Sequence, residues 1–134
     1  MLTRHCLKTP GLAAVFNADL RLRDVPLLNR RPDVVVYDSA ISDDTVLRPQ
    51  HCALVIEVMS PGSITADQMD KPAEYAAAGI EHYWRVEHRE EDGLAVFRYR
   101  LDPTTRIYAS AGISTGKLVA SAPFAVSVDL TELI

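Results

Sequence analysis

Two carboxylates stand where carboxylates are costly. Asp33 opens the apolar run Val34-Val35-Val36-Tyr37, and Glu57 lies near the carboxyl end of Ala53-Leu54-Val55-Ile56-Glu57-Val58. A charge set among aliphatic residues needs a partner. If the two runs are antiparallel neighbours, the start of one lies beside the end of the other, and the carboxylates converge at one sheet edge. Carboxylates at one point repel unless a cation sits between them, and hard oxygen donors suit Mg²⁺ or Mn²⁺. Lys71 falls on the helix expected after Glu57. An ammonium there can polarise a water or offset charge on a phosphoryl group.

Plainer roles compete with each assignment. Asp33, after Pro32, also suits a turn that opens a strand. Glu57 could sit at the exposed lip of its strand or pair with Arg31. Lys71 follows Asp67 by four residues, the spacing of a helix ion pair worth roughly 0.3–0.5 kcal/mol. Tyr75 extends the same helical stripe and reads as core, and Tyr83-Trp84 reads as packing. His5, His51, His82 and His88 show no ligand spacing.

The elements that must position these groups are mostly strands. From Phe16 to Arg23 apolar and polar residues alternate, the period of one half-buried strand. The runs at 33–37 and 53–58 read as strands buried on both faces. Thr65 and Gln68 fit a capping box, and Ala73 and Ala76–Ala78 favour a helix ending at Gly79. Pro72 either kinks that helix or starts a second one near Asp70. His82–Glu87, Gly93–Arg100, Arg106–Ser110 and Lys117–Ala120 read as further strands, and Asp129 as the cap of a last turn. Two-sided strands with one helix leave a sheet face uncovered, which points to a partner subunit.

Composition narrows the function classes. Fourteen Lys and Arg against 18 Asp and Glu exclude a polybasic nucleic-acid coat or a membrane-surface helix as the main function, but not a nuclease with a local basic rim. Arg21, Arg23, Arg30 and Arg31 form such a region. Cys6 and Cys52 provide no zinc framework. Residues 1–9 carry Arg4, His5 and Lys8 with no long apolar run behind them, unlike a signal peptide, and no stretch has the length of a membrane span. The expectation is a soluble, cytoplasmic protein without membrane contact.

One pattern joins these residues. Arg31-Pro32-Asp33-Val34-Val35-Val36, Glu57-Val58-Met59-Ser60-Pro61, Asp67, Lys71, Tyr75, Gly79-Ile80 and Tyr83-Trp84 together resemble the Uma-two (Uma2) family, restriction-endonuclease-like proteins of the PD-(D/E)XK nuclease superfamily. The match runs from about Phe16 to Glu87, and Pro123–Ile134 resembles the family's tail. The resemblance implies an α/β (α+β-like) fold, a mixed sheet flanked by helices with a core of helix, three strands, helix, strand. It implies Asp33 and Glu57 as ligands of Mg²⁺ or Mn²⁺, with Lys71 as the catalytic lysine. In the superfamily's parent motif the lysine follows the second acid by two positions, where this chain has Met59; Lys71 occupies the place it takes in the Uma-two branch.

The departure from the family lies before the first strand. Members usually carry a helix and a further acidic residue there, whereas residues 1–15 contain neither Asp nor Glu. The first core helix is therefore expected to be short or missing. The expected organisation is one domain over 1–134, with 1–12 an irregular remnant, 13–87 the nuclease core and 88–134 a hairpin-rich extension. Two functions from different classes follow. One is a metal-dependent endonuclease acting on nucleic acid, DNA foremost; the other is an inactive nuclease-fold module for binding or assembly. A purely structural β-rich protein is a third reading, with Glu57 paired to an arginine. A homodimer is expected in either of the first two cases.

Overall fold

A computed structural model describes residues 4–59, 66–91 and 93–133, with backbone only at 66–69. In chain order the strands are β1 (Arg4–Cys6), β2 (Leu12–Phe16), β3 (Leu20–Arg23), β4 (Leu28–Arg30), β5 (Val34–Asp38) and β6 (Cys52–Met59). Helix α1 (Ala66–Ala77) follows, then β7 (His82–Arg89), β8 (Gly93–Leu101), β9 (Tyr108–Thr115), β10 (Lys117–Ala120) and β11 (Val126–Asp129). Short 3-10 turns occupy Pro49–His51 and Leu130–Leu133.

Seven of these strands form one mixed sheet in the order β1-β2-β5-β6-β7-β8-β9. Only β6 and β7 pair parallel within it, because α1 carries the chain back across the sheet between them. The other pairings are antiparallel. Adjacent residues along the central strands are buried in pairs: Val35 with Val36, Leu54 with Val55, Tyr83 with Trp84. Since successive side chains point to opposite faces, both faces of the sheet are covered. Val35, Val55 and Tyr83 pack with Tyr75 and Ile80 in a cluster on the α1 side. Val36, Leu54 and Trp84 pack on the other side against Leu118, Ala120 and Leu130 from the C-terminal tail.

That second cluster corrects the expectation of an uncovered face. The β10–β11 hairpin and the last 3-10 turn fill the place that a helix or partner subunit was invoked to fill. The dimer argument from a bare sheet is thereby removed. Among the described residues α1 is the one α-helix, so the sheet is flanked by a helix on one face and a hairpin on the other. The expected irregular remnant at 1–12 contains a strand: β1 lies within it and forms the sheet edge by pairing with β2. Nor does an extension begin at 88, since β7 runs through to Arg89 and β8 and β9 belong to the main sheet.

The alternation from Phe16 to Arg23 proves to be two strands. Asn17 adopts a φ of 55° and turns the chain out of β2, and β3 then pairs with β4 in a separate hairpin. The polar period carries over the turn, which is why it read as one strand. The last strand of the main sheet lies at Tyr108–Thr115, later than the expected Arg106–Ser110. Pro72 lies inside a single α1 and starts no second helix. At the end of α1, Gly79 has a φ of +86°, its N–H bonds the Ala76 carbonyl and that of Ile80 bonds the Tyr75 carbonyl. This is a Schellman cap, and Ile80 and Tyr75 are both buried in the same cluster. The proposed Thr65–Gln68 capping box and the Ser60–Ser63 break lie outside the described residues.

Covering by the tail has a measurable consequence. Leu118 is buried under the sheet whereas its neighbour Val119 is 60% exposed. Leu118→Ala is expected to cost about 2–5 kcal/mol in urea unfolding, and Val119→Ala less than about 0.5 kcal/mol. Equal small effects would mean that the tail does not seal the second face.

Candidate active site

The local sequence delivers Glu57 to the α1 side of the sheet. Val55 faces α1, and Glu57, two residues on, must face the same way. On the helix, Tyr75 is fully buried against that face, and Lys71 lies one turn earlier on the same stripe. The two periods bring the side chains together: Lys71 Nζ is 3.2 Å from Glu57 Oε2. Antiparallel pairing of Val34 with Ile56 brings Asp33 alongside Glu57. Asp33 N–H donates to Glu57 Oε1 at 3.1 Å, and Val58 N–H donates to Asp33 Oδ2 at 2.7 Å. The structure therefore unites all three residues singled out in the sequence.

Neighbouring groups fix this arrangement. Pro32 is fully buried, and the Asp33 carbonyl accepts the Asn17 N–H at 3.1 Å, so the Asp33 backbone is tied on both sides. Helix α1 is anchored by a two-pronged ion pair in which Arg30 Nε and a terminal guanidinium nitrogen donate to Glu74 at 2.6 and 2.7 Å. The plainer assignments are displaced. Arg31 pairs with Asp19 rather than Glu57. Lys71 pairs with Glu57; the Asp67 side chain lies outside the described set. The arginines of the expected basic rim are engaged within the protein, Arg30 with Glu74, Arg31 with Asp19, and Arg23 with the Pro26 carbonyl.

Glu57 is 5% exposed, the one charged residue in the described core. Burial pushes its carboxyl pKa up, and the nearby Lys71 ammonium and the Asp33 N–H offset only part of that rise. The hydroxyls of Tyr75 and Tyr83 feel the same negative charge, which adds to burial in raising both. In the sequence these tyrosines read as packing, and no local signal by itself singles out Arg85. Arg85 is the register partner of Glu57 on the parallel strand β7, with Nε 3.1 Å from Glu87 Oε1. The period-two series Tyr83, Arg85, Glu87 was the available signal, but only parallel pairing puts it beside Glu57.

Among the described residues no group of three or more His, Cys, Asp or Glu side chains could enclose a metal ion. Asp33 and Glu57 supply carboxylate oxygens alone. Such a pair fits an ion that keeps several waters and takes further oxygens from a phosphate, the habit of Mg²⁺. It does not fit zinc, which needs nitrogen or sulfur donors in a closed set.

Comparison with known proteins identifies the family and the fold. The profile of the Uma2 family, described as "Putative restriction endonuclease", matches residues 1–131. A crystal structure described as "a putative nuclease belonging to DUF820 from Anabaena variabilis" superposes with a TM-score of 0.61, covering 94% of this chain and 69% of that one. At 14% identity the likeness is one of fold. No curated protein matches the chain.

The raised Glu57 pKa fixes the sign of a pH effect. A folded state that holds the proton more tightly than the unfolded chain loses stability as pH rises through the folded pKa. In EDTA, Glu57→Gln is therefore expected to gain in Tm over wild type on going from pH 4 to pH 8. A difference that is flat or shrinks over that range would contradict the direction of the shift.

Proposed function

The chain belongs to the Uma2 family, and on that premise we propose that it hydrolyses phosphodiester bonds of nucleic acid, DNA foremost, as a metal-dependent endonuclease. The observation that carries this reading is the convergence of Asp33, Glu57 and Lys71 at the junction of β5, β6 and α1. Asp33 and Glu57 would hold Mg²⁺ or Mn²⁺. When bound, the ion would polarise a phosphoryl oxygen and lower the pKa of a water.

The chain's own groups account for the rest. Desolvation of Glu57 raises its energy without a cation, so a divalent ion and Lys71 share the task of balancing it. Lys71 Nζ is a donor already aimed at the carboxylate pair, suited to orienting a water or to stabilising charge that develops on phosphate. The Val58 N–H holds Asp33 in place, leaving its second oxygen for a ligand. The Val58 carbonyl is a further candidate donor to the ion. A second reading, an inactive nuclease-fold module, draws on the same contacts: Glu57 is satisfied by Lys71 and the Asp33 N–H without any ion.

Calorimetry with Mn²⁺ and nicking of plasmid DNA separate the two. Wild type should bind Mn²⁺ and nick, and Asp33→Asn and Glu57→Gln should lose both. Lys71→Met should keep Mn²⁺ binding while nicking falls on the order of 10²–10³-fold. Wild type that neither binds Mn²⁺ nor nicks, or a Lys71→Met protein as active as wild type, would overturn the catalytic assignment.

A further inference from the structure

A cavity of about 340 Å³ opens between α1 and the β7–β9 part of the sheet. Among the described residues its walls include Ala73 and Ala76 of α1, Tyr83 and Arg85 of β7, Tyr99 of β8 and Tyr108 of β9. The volume falls within the roughly 300–1,000 Å³ range of small-ligand sites, and apolar walls with few polar groups are their usual lining. Three of the walls are aromatic: the Tyr83 ring centroid is 5.8 Å from that of Tyr99 and 5.5 Å from that of Tyr108.

The lining gives the cavity a chemical preference. The Tyr108 hydroxyl donates to the Ile80 carbonyl at 2.7 Å, and the Tyr83 hydroxyl, on a residue 1% exposed, is enclosed by protein and out of a ligand's reach. The Arg85 guanidinium lies 4.4 Å from the Phe97 ring centroid and is paired with Glu87 at 3.1 Å. Aromatic walls and one guanidinium suit a planar heteroaromatic ring carried on a phosphate. Because Arg85 is the register partner of Glu57, such a ring would lie next to a phosphate held at the carboxylates.

We propose that this cavity receives one unstacked nucleobase of the substrate strand, so that the enzyme prefers single-stranded or locally unpaired nucleic acid. The proposal rests on the nuclease reading for its ligand class and adds the strand state. A base inside a duplex cannot reach the walls without leaving its stack, which costs a few kcal/mol. An unpaired base enters without that cost and stacks on the tyrosines.

Fluorescence anisotropy in EDTA, which prevents turnover, tests this with three labelled probes. They are a ten-nucleotide single strand, its duplex, and the same strand with base-less sugars. Wild type should bind the intact strand roughly 10–100-fold more tightly than the base-less strand, the factor expected of base stacking on aromatic rings, and more tightly than the duplex. Ala73→Phe, at an exposed helix position on the cavity wall, should abolish that preference with an unchanged circular dichroism spectrum. Tyr99→Phe, which keeps the ring, should retain it. Equal binding of intact and base-less strands, binding of no probe at all, or a folded Ala73→Phe that still discriminates would overturn the proposal. Plasmid nicking without base-dependent binding would remove the pocket and leave the nuclease; base-dependent binding without nicking would do the reverse.

Discussion

A single buried carboxylate constrains this architecture. Glu57 sits among aliphatic residues at 5% exposure, and its aliphatic neighbours do nothing to compensate its charge. Compensation arrives from two separate segments: the Asp33 N–H beside the neighbouring antiparallel strand and the Lys71 ammonium from the crossover helix. Each requires a different long-range pairing to be in register, and what they leave uncompensated shows in the raised pKa of the group. A one-residue slip of β6 would turn Glu57 to the tail side of the sheet and put Ile56 or Val58 under α1. The site and the register of the central strands are thus one problem. Polar groups kept at such a cost are the usual mark of chemistry rather than of packing.

The covering of the sheet explains how a chain with one described α-helix remains folded. Two-sided burial of β5, β6 and β7 demands material on both faces, and the chain supplies unlike layers. Helix α1 closes one face and carries Lys71, whose place is fixed by the Arg30–Glu74 fork at one side and the Gly79 cap at its end. The β10–β11 hairpin closes the other with Leu118, Ala120 and Leu130 and contributes nothing to the carboxylate site. The candidate site and the sealing contacts of the tail therefore lie on opposite faces of the sheet.

Much of the site was legible because local rules position it. Aliphatic runs fixed the strands at 34–37 and 53–58, an acidic residue in each stood out against them, and the stripe Lys71–Tyr75 gave the helix a face. Glycine at position 79 announced the helix end correctly because only a positive φ closes that cap. Other features were hidden for identifiable reasons. The alternation across Asn17 looks continuous because polarity does not register a left-handed turn. The identity of the second cover was invisible because the short alternations of β10 and β11 say nothing about which face they dock on. Arg85 drew no notice because its meaning comes from a parallel partner far away in sequence.

The amino-acid sequence by itself determined several local pieces: the central strands at 34–37 and 53–58, where the helix ends, which residues can carry charge into the core, and the family pattern they spell. Tertiary structure decided which of those charges meet. Lys71 had two carboxylates within plausible reach, Asp67 by helical spacing and Glu57 by folding, and the fold pairs it with Glu57. It likewise gave Arg30 to Glu74 and Arg31 to Asp19, and withdrew them from the basic rim that composition suggested. The reason is physical: hydrophobic periodicity is read within a few residues, whereas charge compensation depends on strand order and register, which exist only once the sheet has assembled.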